Sequence, residues 1–226
     1  MHTLDISHNN KITDRGLFNL NLHTLYANDN IKITDLSIKT LNLQVLHIAG
    51  NCNITDDAIK YLKLRELDIS CNDKITNRGL ECLDLKTLKC SMNDNITDDG
   101  IKHMNIEKLV IFRHSNITDK GIQHMNIKIL DVSSNINITD NGIKHMNIKI
   151  LDASNNYNIT DMGIQHMDLY YLTTINNTNI KYNIIKGIKV RNYSVDILII
   201  IFIFKSIFIV LKDIYYLFKK YLLFKF

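Results

Sequence analysis

A chain of 226 residues, 46% hydrophobic and 22% charged, is too apolar to be disordered; its net charge is +4 and the basic excess lies in the last 45 residues, leaving no basic stripe for nucleic acid in the repeats. No apolar leader follows Met1, so the expected compartment is intracellular and cytoplasmic, with reduced thiols. The absence of Pro and Trp beside abundant Asn, Ile, Lys and Tyr points to an A/T-rich coding sequence.

From the first residues onward one phrase recurs without insertion. Its Ile falls at Ile12, Ile33, Ile54, Ile75, Ile96, Ile117, Ile138 and Ile159, in steps of 21 residues, and fades at Ile180. A fixed period of this size marks a solenoid, in which each coil packs on its neighbours. Within each coil two apolar rows follow at helical spacing of three, Leu17 to Ile164 and Leu20 to Met167. Three more rows, Leu22 to Leu169, Leu25 to Leu172 and Ala27 to Ala153, end on the alternation of a strand. Each coil therefore reads as a short strand, a turn and about two helical turns.

The Thr after each Ile is placed to cap that helix, and the following Asp complements the positive end of its dipole; Asn77 is the neutral variant. The small residue two places on (Gly16, Ser37, Ala58, Gly79 and the glycines to Gly163) implies close approach of adjacent coils. An Asn row from Asn9 to Asn177 stands at the strand exits, where a stacked amide can satisfy backbone groups that a turn leaves unpaired. His114 interrupts it, and an irregularity is expected there. Five Asn-Ile-Thr sequons, at Asn53, Asn95, Asn116, Asn137 and Asn158, follow from the repeat itself and read as structural. The cysteines Cys52, Cys71, Cys82 and Cys90 occupy four different places in the repeat, so they form neither a ladder nor a ligand cluster.

The string Leu64-Arg65-Glu66-Leu67-Asp68-Ile69-Ser70-Cys71-Asn72-Asp73-Lys74-Ile75-Thr76-Asn77-Arg78-Gly79-Leu80 resembles a leucine-rich repeat. Its Ile-Thr-Asp-x-Gly-Leu half, as elsewhere in the array, resembles the cysteine-containing subfamily of F-box/LRR ubiquitin-ligase adaptors. The coils are shorter than that subfamily's, Asn stands where it often has Cys, and no F-box is visible, Met1 already occupying a core position. The resemblance also extends to repeat families of A/T-rich giant DNA viruses and some protists. It implies an α/β solenoid with a parallel sheet on the concave side and short helices on the convex side. Ubiquitin-ligase subunits enter as partners by this resemblance alone.

The expected organisation is a solenoid over residues 1–180 and an apolar, Lys-punctuated tail over 181–226. In the tail, Val195 to Leu211 is almost unbroken apolar sequence, with Lys205, Lys212 and Lys219 seven apart. Its longest clean stretch, Ile197 to Phe204, is shorter than a bilayer requires. A membrane-associated helix, a cap on the last coil and a degenerate end remain open for residues 195–226.

No phosphate loop, nucleophile elbow or zinc quartet is present, so a non-catalytic chain without cofactor or metal is expected. The row His103, His124, His145 and His166 could bring neighbouring imidazoles together, but it reads as a copied, exposed unit beside the buried Met row. Function points instead to the outward strand positions, which vary while the core rows stay constant. Tyr26, His47, Asp68, Lys89, Val110, Asp131 and Asp152 form one such row, with Phe112, Ile129 and Ile150 beside it. Val110, Phe112, Ile129 and Ile150 compose an apolar centre with a charged rim, as in a protein-binding face. The expected function is recognition of a protein partner there, with substrate recognition for a ubiquitin ligase as the sharper form. A membrane-attached, receptor-like repeat protein is the alternative.

Overall fold

The computed structural model describes residues 2–51, 53–181 and, as backbone, 189–191. Nine three-residue strands, β1 to β9, run Thr3–Asp5, Thr24–Tyr26, Val45–His47, Glu66–Asp68, Thr87–Lys89, Lys108–Val110, Ile129–Asp131, Ile150–Asp152 and Tyr171–Thr173. Between them lie the helices α1 to α8, at Asp14–Leu17, Asp35–Ile38, Asp56–Ile59, Asn77–Leu80, Asp98–Ile101, Asp119–Ile122, Asp140–Ile143 and Asp161–Ile164. A further strand, β10 (Lys189–Arg191), follows β9 in the strand order. Every adjacent pair from β1 to β9 is parallel and in register, each residue facing its equivalent in the next coil. The coils belong to Met1–Val190, one of two units into which the chain divides. The tail expected over 181–226 lies outside the described residues apart from Lys181 and β10.

Each helix is a single four-residue turn, shorter than the two turns its apolar spacing suggests. Its buried residue is still one row (Ile38, Ile122), and the second row (Leu41, Met125) is carried by the irregular turn that follows. A 21-residue coil must return to its starting edge, which leaves little length for a helix. One turn has no independent stability, so packing of that buried row holds it. The strand and turn rows complete the core: Leu25, Leu46, Leu67, Leu88, Leu109, Leu151 and Leu172 are all 0% exposed.

Polar side chains bind coil to coil in three ladders. In the first, the Asp opening each helix reaches forward. Asp14, Asp35, Asp56, Asp98, Asp119 and Asp140 accept the backbone N–H of the next coil's Thr at 2.7–2.9 Å and its hydroxyl at 2.6–2.7 Å. The Thr hydroxyl in turn accepts a first-turn N–H in six of the eight helices. The small-residue row makes room for this clamp: a Cβ on Gly142 would stand 2.3 Å from Asp119 Oδ1. At Asp14 burial pushes the carboxyl up, but bonds from the Ser37 and Thr34 hydroxyls and from Thr34 N–H outweigh it and hold the pKa below its ordinary value.

The second ladder is the buried Asn row. Asn156 Nδ2 donates back to Val132 O at 3.3 Å and Ile138 O at 3.2 Å, while its Oδ1 accepts Asn158 N–H at 3.0 Å. The third lies on the exposed edge, where the sequon residues Asn53, Asn95, Asn116, Asn137 and Asn158 each donate Nδ2 to a carbonyl 22 residues earlier, at 2.6–2.8 Å. Both the amide and the Thr of each sequon thus hold adjacent coils together.

The expected irregularity at His114 is present. His114 is exposed, and Ser115 takes the buried place, its Oγ accepting Ile117 N–H at 3.2 Å. Met92 N–H then reaches His114 O, 22 residues on, where the equivalent bonds elsewhere span 20. An imidazole lacks the amide's paired donor and acceptor in the required geometry, so the turn moves a hydroxyl in instead.

Candidate partner-binding face

Outward strand positions form three parallel rows. The first holds Thr87, Lys108, Ile129, Ile150 and Tyr171 in register; the second holds Tyr26, His47, Asp68, Lys89, Val110, Asp131, Asp152 and Thr173. The third, two residues beyond the second, includes Asn28, Ser70, Ser91, Phe112, Ser133 and Ser154. All ten residues singled out from the sequence belong to these rows. His47 and Asp68 are buried by their neighbours, Ile150 is exposed, and the other seven are half-buried.

Part of the second row has a backbone duty that the sequence reading did not assign. The outward N–H of the third row is taken by the row's own Asp: Ser70 by Asp68 at 3.1 Å, Ser133 by Asp131 at 3.0 Å, Ser154 by Asp152 at 2.9 Å. In three coils without Asp the same N–H turns to the preceding coil. Ala49 N–H donates to Asn28 Oδ1, Phe112 N–H to Ser91 Oγ, and Ile175 N–H to Ser154 Oγ, at 2.8–3.2 Å. The Asp-x-Ser pairs were a visible signal for this, being the spacing at which a carboxylate caps the amide two residues on.

The two halves of the face differ electrostatically. Across β2 to β5 the polar groups pair internally. His47 Nε2 lies 2.8 Å from Glu66 Oε1, the Tyr26 and His47 rings meet edge to face at 4.8 Å, and Lys89 Nζ lies 3.5 Å from Asp68 Oδ2. Across β6 to β9 the row Ile129, Ile150, Tyr171 runs beside Asp131 and Asp152. Among the described residues neither of these carboxylates has a basic partner. Burial pushes the Asp131 carboxyl above its ordinary pKa, with Asp152 adding to the rise against the bonds from Ser133.

The remaining sites show less chemistry. His103, His124, His145 and His166 are exposed, and the Nε2 atoms of His103 and His166 face Leu83 O and Met146 O at 3.3 and 3.2 Å. No cluster of three or more metal-ligating side chains forms among the described residues. Cys90 is buried, which pushes its thiol pKa up, away from reactive thiolate. An open hollow of about 630 Å³ beside α2 and α3 is lined by Lys39, Lys60, Lys63, Tyr61 and Asp57 among others, and by none of the ten face residues. Among the described residues no helix is long and apolar enough to cross a membrane.

The leucine-rich-repeat family model matches residues 1–20, 41–63, 62–83 and 123–146. A chain from the crystal structure of the yeast Rad7 and Elc1 complex is similar at 13% identity and a TM-score of 0.46, covering 83% of this chain and 73% of that one. No curated protein matches. The matched segments fall on coils that the rest of the array repeats strand for strand, so the coils have the fold of a leucine-rich-repeat solenoid, whose general use is protein interaction.

Proposed function

We propose that this protein is a non-catalytic interaction module that recognises a protein partner on its strand face. One observation carries the reading: core rows hold nearly constant residues from coil to coil, whereas the outward rows run through aromatic, basic, acidic and aliphatic residues on an unchanged backbone register. A stack of strands about 4.8 Å apart backed by bulkier helical turns curves with its strands inside, which suits the face to wrapping a partner. Substrate recognition for a ubiquitin ligase is the finer form, supported by the Ile-Thr-Asp-x-Gly-Leu resemblance. Attachment to a membrane is a second reading that rests on the composition of residues 195–226, outside the described residues.

The test is affinity purification of the full chain from cells in mild detergent, beside a Phe112→Asp, Ile129→Asp variant of matched melting midpoint. A defined protein recovered with the parent and lost with the variant is expected. Identical prey from both would sink the reading, and ligase subunits among the lost prey would support its finer form.

A further inference from the structure

We propose that the β6–β9 half of the strand face binds a protein segment presenting a Lys or Arg side chain next to an apolar one. This deepens the interaction-module reading and rests on it. The apolar part of the site is the in-register row Ile129, Ile150 and Tyr171, of which Ile150 is 38% exposed at the centre. Directly beside that row, Asp131 and Asp152 face one another across β7 and β8.

The two carboxylates decide which partner fits. Each spends Oδ1 on its own Ser backbone, and Asp131 Oδ1 also accepts the Ser133 hydroxyl at 2.7 Å. Among the described residues the Oδ2 atoms have no hydrogen-bond partner. A purely apolar partner seated on Ile129 and Ile150 would strip water from these charges without compensation, which opposes its binding. An acidic partner would add repulsion. A guanidinium or ammonium is the group that removes the cost, and neighbouring strands about 4.8 Å apart place both carboxylates within reach of one such head. Lys108, at the β6 end of the apolar row, repels a cation and so gives the site a direction, with the basic group lying towards β7 and β8. The β2–β5 half offers no equivalent demand, since Asp68 already faces Lys89 and Glu66 already faces the His47 ring.

The experiment is selection of random linear peptides displayed on phage against the immobilised full chain, followed by synthesis of the enriched sequences and titration by fluorescence polarisation. Enrichment of Lys or Arg adjacent to an apolar residue is expected. Affinity should fall about tenfold or more in an Asp131→Asn, Asp152→Asn variant and with added salt, and stay unchanged in Glu66→Gln. The Asn variants retain an acceptor for the Ser133 and Ser154 amides, so they should fold, which their melting curves verify. Peptides lost with Ile150→Asp but indifferent to the Asp131→Asn, Asp152→Asn variant would overturn the basic-segment proposal and leave the interaction face standing. Peptides indifferent to all of these variants, or no enrichment at all, would overturn both.

Discussion

At the scale of single residues, Asp131 shows how one side chain serves the backbone and strains the surface together. Its carboxylate is held by Ser133 N–H and Oγ, yet burial and the facing Asp152 raise its pKa. Val110 stands on its β6 side and offers no charge to offset this. An acid whose folded pKa exceeds its unfolded one binds its proton more tightly when folded, so stability declines as pH rises from the lower value to the higher. Asp131→Asn keeps an acceptor for Ser133. It is expected to raise the melting midpoint at neutral pH and to match the parent below about pH 3, where both states of Asp131 are protonated. A midpoint difference that does not change with pH would count against this account.

At the scale of the element, the one-turn helices owe their place to the clamp from the coil before. The fifth helix provides an internal comparison. Asn77 Oδ1 accepts Thr97 N–H at 3.0 Å as an Asp would, but its Nδ2 donates into Thr97 Oγ1 at 2.8 Å. That hydroxyl then makes no cap bond to α5, unlike the Thr of α6 to α8. Asn77→Asp should restore the arrangement of the other coils and stabilise the protein by about 0.5–1.5 kcal/mol in urea unfolding. No gain, or a loss, would show that the clamp's polarity is unimportant. The glycine beside the clamp is less demanding than its contacts imply, because Ala58 occupies the same row while Asp35 keeps both bonds to Thr55.

At the scale of the whole array, nearest-neighbour packing makes each internal coil nearly interchangeable. Residues 127–147 can be excised so that Asn126 joins Ile148, reproducing the Asn-Ile-Lys-Ile-Leu-Asp phrase at the junction. The clamp, the buried Asn and the edge Asn then meet equivalent partners one coil away. The shortened chain is expected to keep its circular dichroism per residue and a single cooperative unfolding transition. Loss of cooperativity would mean that longer-range features, such as the shifted turn at Ser115, hold the stack together.

The period alone determined the parallel in-register strands, the buried Leu, Ile and Met rows, the back-bonding Asn row and the irregularity at His114, because a solenoid's contacts are its sequence spacing repeated. The exposed rows were legible as a surface for the same reason. What only the tertiary structure decided is where each polar group finds its partner. Asp119 serves a Thr twenty residues away, not its own helix, and that helix closes after one turn because the coil must return. Lys89 pairs with Asp68 and the His47 ring with Glu66, whereas Asp131 and Asp152 have no such partner among the described residues. Such pairings depend on side-chain reach between coils and on local burial, and the spacing of letters along a chain carries neither.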